Sequence, residues 1–254
     1  MCTFWRAVRK EWERRVGTVD PKDFVALDDR FTRLRSPRRL LYEKLVPSES
    51  FRTYSRYIQG LFKAIAAVSG SAWIVDSSRR PSRALALSWM PGIDLYVMHL
   101  VRDVRGVTWS GHRTMRRKPP SRLARKLLSR SALPSVCGWL QVNLHAGIVR
   151  RLLGRGRSIR LRYEDLMEDP EGSLRRVGRL LELDASPIIE ALRSEEEIPI
   201  GHLAYGNRIR RMGSVRLRPD VEWRECLSAR HEWIAWLVSG IPMLLYGYRP
   251  GRYP

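Results

Sequence analysis

Cysteine is scarce in this chain. Cys2, Cys137 and Cys226 are widely spaced, odd in number and include no C-x-x-C pair, which argues against a disulfide framework or a paired-cysteine zinc site. The five histidines, at 99, 112, 145, 202 and 231, have no metal-ligand spacing. His99 falls inside a strand pattern as a structural residue, and His112, just past the helix that follows, is a general-base candidate. No apolar run spans a bilayer, since the longest, around residues 234–246, is too short or too interrupted. The first thirty residues lack a signal-peptide core, which points to a cytoplasmic protein. There is no internal repeat and no low-complexity linker. The 254 residues, 44% of them hydrophobic, are enough for one α/β domain with a sizeable core.

Negative charge is also short. Asp and Glu number 26 against 47 Lys and Arg, a net charge of +21 that favours anionic partners. A nucleotide with several phosphates, a nucleic acid and an anionic membrane surface all fit, and electrostatics alone does not rank them. The densest basic run, residues 112–130 (HRTMRRKPPSRLARKLLSR), lacks the interleaved aromatics of a single-strand stacking platform. A solvated loop and helix face is its first reading, with a flexible basic flap or nonspecific RNA contact as alternatives.

The most informative segment is 94–110, DLYVMHLVRDVRGVTWS. Leu95, Tyr96, Val97, Met98, Leu100 and Val101, flanked by Pro91 and Gly92, predict a strand buried on both faces of a parallel sheet. Arg102 then sits at the carboxyl end, where open α/β sheets bind ligands, and Asp103 is a good N-cap for a helix through about Ser110. Amides at that helix start add to the pull on an anion. A guanidinium fork on Arg102 and a hydroxyl on Ser110 suit a phosphate. The competing reading is a surface ion pair between Arg102 and Asp103 at an ordinary turn. The string L-V-R-D-x-R-G-V-x-x-S resembles the 3′-phosphate-binding segment of the sulfotransferases that use 3′-phosphoadenosine 5′-phosphosulfate (PAPS). That resemblance gives Arg102 and Ser110 the nucleotide's 3′-phosphate.

Three further segments resemble the same family, in order. Residues 158–183, SIRLRYEDLMEDPEGSLRRVGRLLEL, alternate as a strand through Ile159, Leu161 and Tyr163, then turn at Asp169 and Pro170 into an amphipathic helix. They resemble the family's R-Y-E-D-L-x-x-D-P string, which places Tyr163 against adenine; a core tyrosine is the alternative. Residues 72–81, AWIVDSSRRP, predict a short strand at 73–75 and resemble a V-D-S-S-K-x-P segment, with Arg79 where lysine is usual. Arginine keeps that charge without the compact ammonium. Asp76 is then the carboxylate nearest an acceptor, or simply a turn aspartate. Residues 205–223, YGNRIRRMGSVRLRPDVEW, resemble a G-N-x-x-R segment leading into a D-x-x-W helix start. By that likeness Asn207, Arg208 and Arg210 close on the 3′-phosphate or adenine; a solvated basic loop is the other explanation.

Helical patterns at 21–46, 48–69, after Pro81, at 134–153 and at 228–246 alternate with strands at 73–75, 95–101 and 159–162, implying a parallel sheet. In the last helix Trp233, Trp236, Leu237 and Ile241 are expected in the core. The resemblance implies a P-loop-like α/β fold. Family members open with a strand and a loop of the G-x-x-R-S-G-S/T-T-L-L kind that cradles the 5′-phosphosulfate, and no such segment occurs in the sequence. MCTFWRAV resembles a C-x-F-W-R-x-V stretch that follows this loop in some bacterial members. The expectation is a single sulfotransferase-like domain over 1–254, N-terminally incomplete, with unpaired edges where the first strand is missing. The implied reaction is in-line transfer of a sulfuryl group from PAPS to a hydroxyl or amine acceptor. With the reacting end uncradled, weak nucleotide binding and little or no turnover are expected. A noncatalytic 3′-phosphoadenosine-binding protein and a basic nucleic-acid-binding module are the alternatives.

Overall fold

Prolines and short polar caps set most of the helix boundaries. A computed structural model describes residues 2–33, 37–117, 132–194, 196–202 and 213–251, which fall into two units by contact, 1–96 with 197–215, and 97–196 with 216–254. The first unit holds α1 (Thr3–Val16), α2 (Pro21–Thr32), α3 (Pro37–Leu45), α4 (Glu49–Ser69) and α5 (Pro81–Leu87). It also contains a two-residue antiparallel ladder of β3 (Ile198–Pro199) with β4 (Ser214–Val215). The predicted helix over 21–46 is two helices: α2 stops at Thr32, where Arg33 turns extended, and Pro37 opens α3 at the first helical position proline favours. Asp20 caps α2 through the Lys22 amide, and Ser48 caps α4 through the Phe51 amide. Gly70, left-handed at φ 67°, closes α4.

Aromatic packing holds this unit. Phe31 lies 5.2 Å from Phe51 and 5.4 Å from Tyr54 between ring centroids, and all three are buried. The Trp12 indole donates to the Tyr57 carbonyl at 2.9 Å, tying α1 to α4. A polar cluster lies alongside, where Arg83 donates to Asp28, Asp76 and the Tyr54 hydroxyl. Residues 72–80, where a strand was expected at 73–75, form no ladder. A strand persists only where a neighbour takes up its backbone groups, and Val75 is 91% exposed.

The second unit contains a parallel pair of strands, β1 (Val97–Val101) and β2 (Ser158–Arg162), in register from Val97 opposite Ser158 to Val101 opposite Arg162. Around it are α6 (Val104–Arg117), α7 (Leu133–Leu153), α8 (Tyr163–Glu168), α9 (Pro170–Leu181), α10 (Ser186–Arg193), α11 (Trp223–Cys226) and α12 (Ala229–Leu245). Asp169 caps α9 through the Gly172 amide, as its place before Pro170 predicts. The result is a mostly helical α/β arrangement, a parallel sheet flanked by helices. β1 is buried on one face only: Met98 and Leu100 are 51% and 47% exposed, whereas His99 and Val101 are buried. The His99 imidazole pairs with the Asn143 side chain at 2.8 Å, a structural role, and burial holds its pKa below the usual value.

The core of this unit combines Val101, Val104, Val136, Trp139, Met243 and Tyr248. The C-terminal helix departs from expectation. Trp233, Leu237 and Ile241 of α12 are 73%, 79% and 76% exposed, while Ala235, Ser239 and Met243 turn inward. A helix that is apolar all round does not announce which face it buries.

One glycine carries the α1–α4 crossing. A Cβ at Gly60 would come within 2.4 Å of Val16 Cγ1, so the helices meet where only a hydrogen fits. Alanine ordinarily strengthens a helix by about 1 kcal/mol over glycine, but here overpacking dominates. Gly60→Ala is expected to lower the unfolding free energy by about 1–3 kcal/mol, measured as a shift of the urea midpoint; an unchanged or raised midpoint would contradict the crossing.

Candidate anion-binding site

At the carboxyl end of β1 the backbone is fastened from several directions. The Val101 carbonyl accepts from the Tyr248 hydroxyl at 3.3 Å and the Arg102 carbonyl from the Trp139 indole at 2.7 Å. The Asp103 amide donates to Glu164 Oε1 at 3.0 Å, and Glu164 Oε2 accepts from the Tyr248 hydroxyl at 2.8 Å. Glu164 follows Tyr163 directly, so the start of α8 and the C-terminal L-L-Y-G-Y string clamp the strand end. Burial and the adjacent Glu164 carboxylate push the Tyr248 hydroxyl's pKa well up, so it stays a donor.

Asp103 caps α6 through the Arg105 amide at 2.8 Å, and its carboxylate is wholly buried. Its ion-pair partner is Arg105 at 2.8 Å; the ion pair between Arg102 and Asp103 posed as an alternative is not formed. Arg105 also donates to Glu232 Oε1 at 2.9 Å and the Gly251 carbonyl at 2.7 Å, and its guanidinium lies against the rings of Trp223 and Trp236. Burial disfavours its charge, yet Asp103 and Glu232 outweigh that and hold its pKa above the ordinary value.

Arg102 is thereby left to face the helix start. Its side chain is 21% exposed, its guanidinium carbon lies 4.7 Å from the Tyr163 ring centroid, and its Nε is buried with no hydrogen-bond acceptor among the described residues. A Cβ at Gly106 would stand 3.0 Å from that Nε, so glycine in the first turn of α6 lets the guanidinium approach. Arg102 Nη2 donates to the Asp220 carbonyl at 3.0 Å and reaches Asp220 Oδ2 at 3.2 Å. The Asp220 amide donates to the Tyr163 hydroxyl at 3.0 Å. Arg113 Nη2 lies 3.7 Å from the same Asp220 Oδ2, while its Nη1 pairs with Glu222 at 2.7 Å. One carboxylate oxygen thus sits between two guanidinium groups, one from a strand end and one from a helix.

Arg102 and Tyr163, far apart in sequence, are therefore in contact. Ser110, half-buried, stands on α6 between Gly106 and Arg113 at the i,i+4 and i,i+3 spacings that place the three on one helix face. Asn207, Arg208 and Arg210 lie outside the described residues, as does most of the basic run beyond Arg117. Sequence reading missed Arg113, Glu164 and Asp220. Two carried a signal: Glu164 lies inside the R-Y-E-D string, and Arg113 is one turn beyond Ser110. Asp220 is the aspartate of the D-x-x-W string, but nothing local marks its partnership with Arg102, which spans 118 residues. Asp76 is a turn aspartate, accepting from the Ser78 amide at 2.9 Å and pairing with Arg83 at 2.6 Å. Burial alone would raise its pKa, but Arg83 and the Ser78 amide bring it below the usual carboxylate range, which suits an anchor better than a base. The adjoining Arg79 has a left-handed backbone, φ 56°.

The architecture is that of an α/β protein, a parallel strand pair flanked by helices, with two arginines gathered near the end of β1. A family model described as the sulfotransferase family matches residues 5–187, and the chain belongs to that family. No curated protein and no solved structure matches it. Among the described residues no helix is long and apolar enough to cross a membrane, and no cluster of His, Cys, Asp and Glu could hold a metal ion.

The buried pair at the strand end is the stability-critical contact. Arg105→Met would strand the Asp103 carboxylate in the core and should lower the unfolding free energy by about 3–5 kcal/mol. Adding Asp103→Asn should restore part of that loss, and equal urea midpoints for the single variant and the parent would refute the assignment.

Proposed function

We propose that this protein is a PAPS-dependent sulfotransferase-family member that grips the adenosine 3′-phosphate end of its nucleotide with Arg102, Ser110 and Arg113, with Tyr163 beside the adenine. The single observation that carries this reading is Asp220 Oδ2 lying between Arg102 and Arg113 at 3.2 and 3.7 Å. A carboxylate oxygen there stands in for a phosphate oxygen, so the residues present fit a phosphate. The clamped strand end fixes the backbone that carries Arg102, since Trp139, Tyr248 and Glu164 hold the main chain of residues 101–103. Asn207, Arg208 and Arg210 remain candidates for closing over the bound nucleotide, on the strength of the G-N-x-x-R likeness.

In the reaction this reading implies, an acceptor hydroxyl or amine attacks sulfur, the bond from sulfur to the 5′-phosphate oxygen breaks, and the acceptor loses a proton. This chain's contribution is to fix the nucleotide at its 3′ end, leaving adenosine 3′,5′-bisphosphate in the same grip. Among the described residues none is assigned to the sulfuryl end. The 1–254 span acts as one sulfotransferase-like domain in this reading.

Calorimetric titration with adenosine 3′,5′-bisphosphate tests the site. Arg102→Ala should weaken binding at least about tenfold, the scale of one lost charge-assisted hydrogen bond. Undiminished affinity would sink the site, and salt-steep retention on RNA that ignores this substitution would favour the nucleic-acid alternative.

Asp220 competes with the ligand for the same cations. Asp220→Asn should therefore tighten binding about threefold to tenfold and Arg113→Gln should loosen it by a similar factor. Tighter binding by Arg113→Gln, or weaker binding by Asp220→Asn, would show that the carboxylate orders the site rather than occupying it.

A further inference from the structure

A second basic site lies in the first unit and rests on none of the nucleotide assignments. On α4, Arg52, Arg56, Gln59 and Lys63 follow one another at i, i+4, i+7 and i+11, a single stripe along the helix. They border a cavity of about 530 Å³ whose lining also includes Phe51 and Trp89. The close approach of α1 at Gly60 creates its wall, because α1 ends there at Val16 beside the α4 stripe. Phe51 and Ser55 are buried beneath it, and Pro47, Trp89 and Pro91 supply the accessible apolar lining.

The charges around this cavity are unbalanced. Arg15, on the α1 side, is paired with Glu11 at 2.6 Å, but among the described residues no ion pair joins Arg52, Arg56 or Lys63 to a carboxylate. Arg52 and Arg56 stand at i,i+4, a like-charge spacing that weakens a helix. An anion seated between them would relieve that repulsion. The apolar part of the lining adds a second requirement, since a bare inorganic ion would leave Trp89, Pro47 and Pro91 uncovered. The volume falls within the roughly 300–1,000 Å³ of small-molecule sites.

We infer that this cavity binds an amphipathic organic anion, a phosphate, sulfate or carboxylate group on a flat apolar body, with the anionic group on Arg52 and Arg56 and the body against Trp89 and Pro91. Nothing in it requires the strand-end arginines, so the two sites are separable by mutation.

The test is calorimetry of the full chain with 2-naphthyl phosphate, 2-naphthol and inorganic phosphate. 2-Naphthyl phosphate should bind at least about tenfold more tightly than either part alone, and R52Q/R56Q should weaken it by about tenfold. Arg102→Ala should leave it unchanged. These side chains are exposed, so the variants should melt like the parent; Lys63→Gln, expected to weaken binding about threefold, provides a second reading if the double variant does not fold. Equal affinity in R52Q/R56Q and Lys63→Gln, or an inorganic phosphate affinity matching that of 2-naphthyl phosphate, overturns the inference. Loss of 2-naphthyl phosphate binding in Arg102→Ala would move the ligand to the strand-end site and overturn it too, whereas loss of adenosine bisphosphate binding alone would leave it standing.

Discussion

The buried pairing of Asp103 with Arg105 is the constraint from which the rest of the strand end follows. A carboxylate this deeply buried must be matched or neutralised, and here it is matched by a neighbour two residues away whose remaining donors go to Glu232 and the Gly251 carbonyl. One ionic contact therefore caps α6, draws α12 and the C-terminal strand of chain toward the end of β1, and takes Asp103 out of competition for Arg102. Were Asp103 free to turn outward, the short-range attraction between adjacent residues would neutralise the very guanidinium that faces the helix start.

Glu164 performs the complementary task for the backbone. By accepting from both the Asp103 amide and the Tyr248 hydroxyl it joins β1, α8 and the C-terminal segment at one point, and the adjoining Tyr163 is thereby set against Arg102. The site is thus built by neighbours in sequence doing different work. Asp103 and Arg105 hold the core while Arg102 faces out; Glu164 holds the core while Tyr163 faces out. Gly106 completes the pattern by omission, since any side chain there would push the guanidinium away from α6.

What the sequence made legible, and what it hid, follows from the range of the interactions. The Asp103 cap, the Asp169–Pro170 turn, the strand at Ile159 and the helix after Ser48 are local, governed by residues within about one turn of each other, and each is where its residues predict. Burial of β1 on both faces was not legible, because a run of apolar residues says nothing about whether a second layer covers it; Met98 and Leu100 lie open. The strand at 73–75 failed for a related reason: its apolar residues satisfy the pattern, but no described strand pairs with it. Trp233, Leu237 and Ile241 were assigned inward because a helix that is apolar on every side offers no contrast. The sharing of Asp220 between Arg102 and Arg113 depends on segments more than a hundred residues apart and leaves no periodic trace.

The net charge of +21 suggests a single basic surface, yet the arginines divide by what they face. Arg83 and Arg105 are internal struts, each meeting two carboxylates and contributing little to the field outside. Arg102 and Arg113 share Asp220, and Arg113 also pairs with Glu222, so their attraction for an outside anion is partly occupied. Arg52, Arg56 and Lys63 have no carboxylate partner among the described residues and project beside an apolar cavity. Formal charge counts all of these alike, whereas the free energy available to a ligand depends on how much of each charge is already neutralised and how far it is removed from water. A summed charge therefore cannot locate a partner. What a ligand meets depends on how far each charge is already neutralised, and the two proposed sites differ in this: a fork at the end of β1 partly occupied by Asp220, and an open basic stripe beside Trp89 with no carboxylate partner among the described residues.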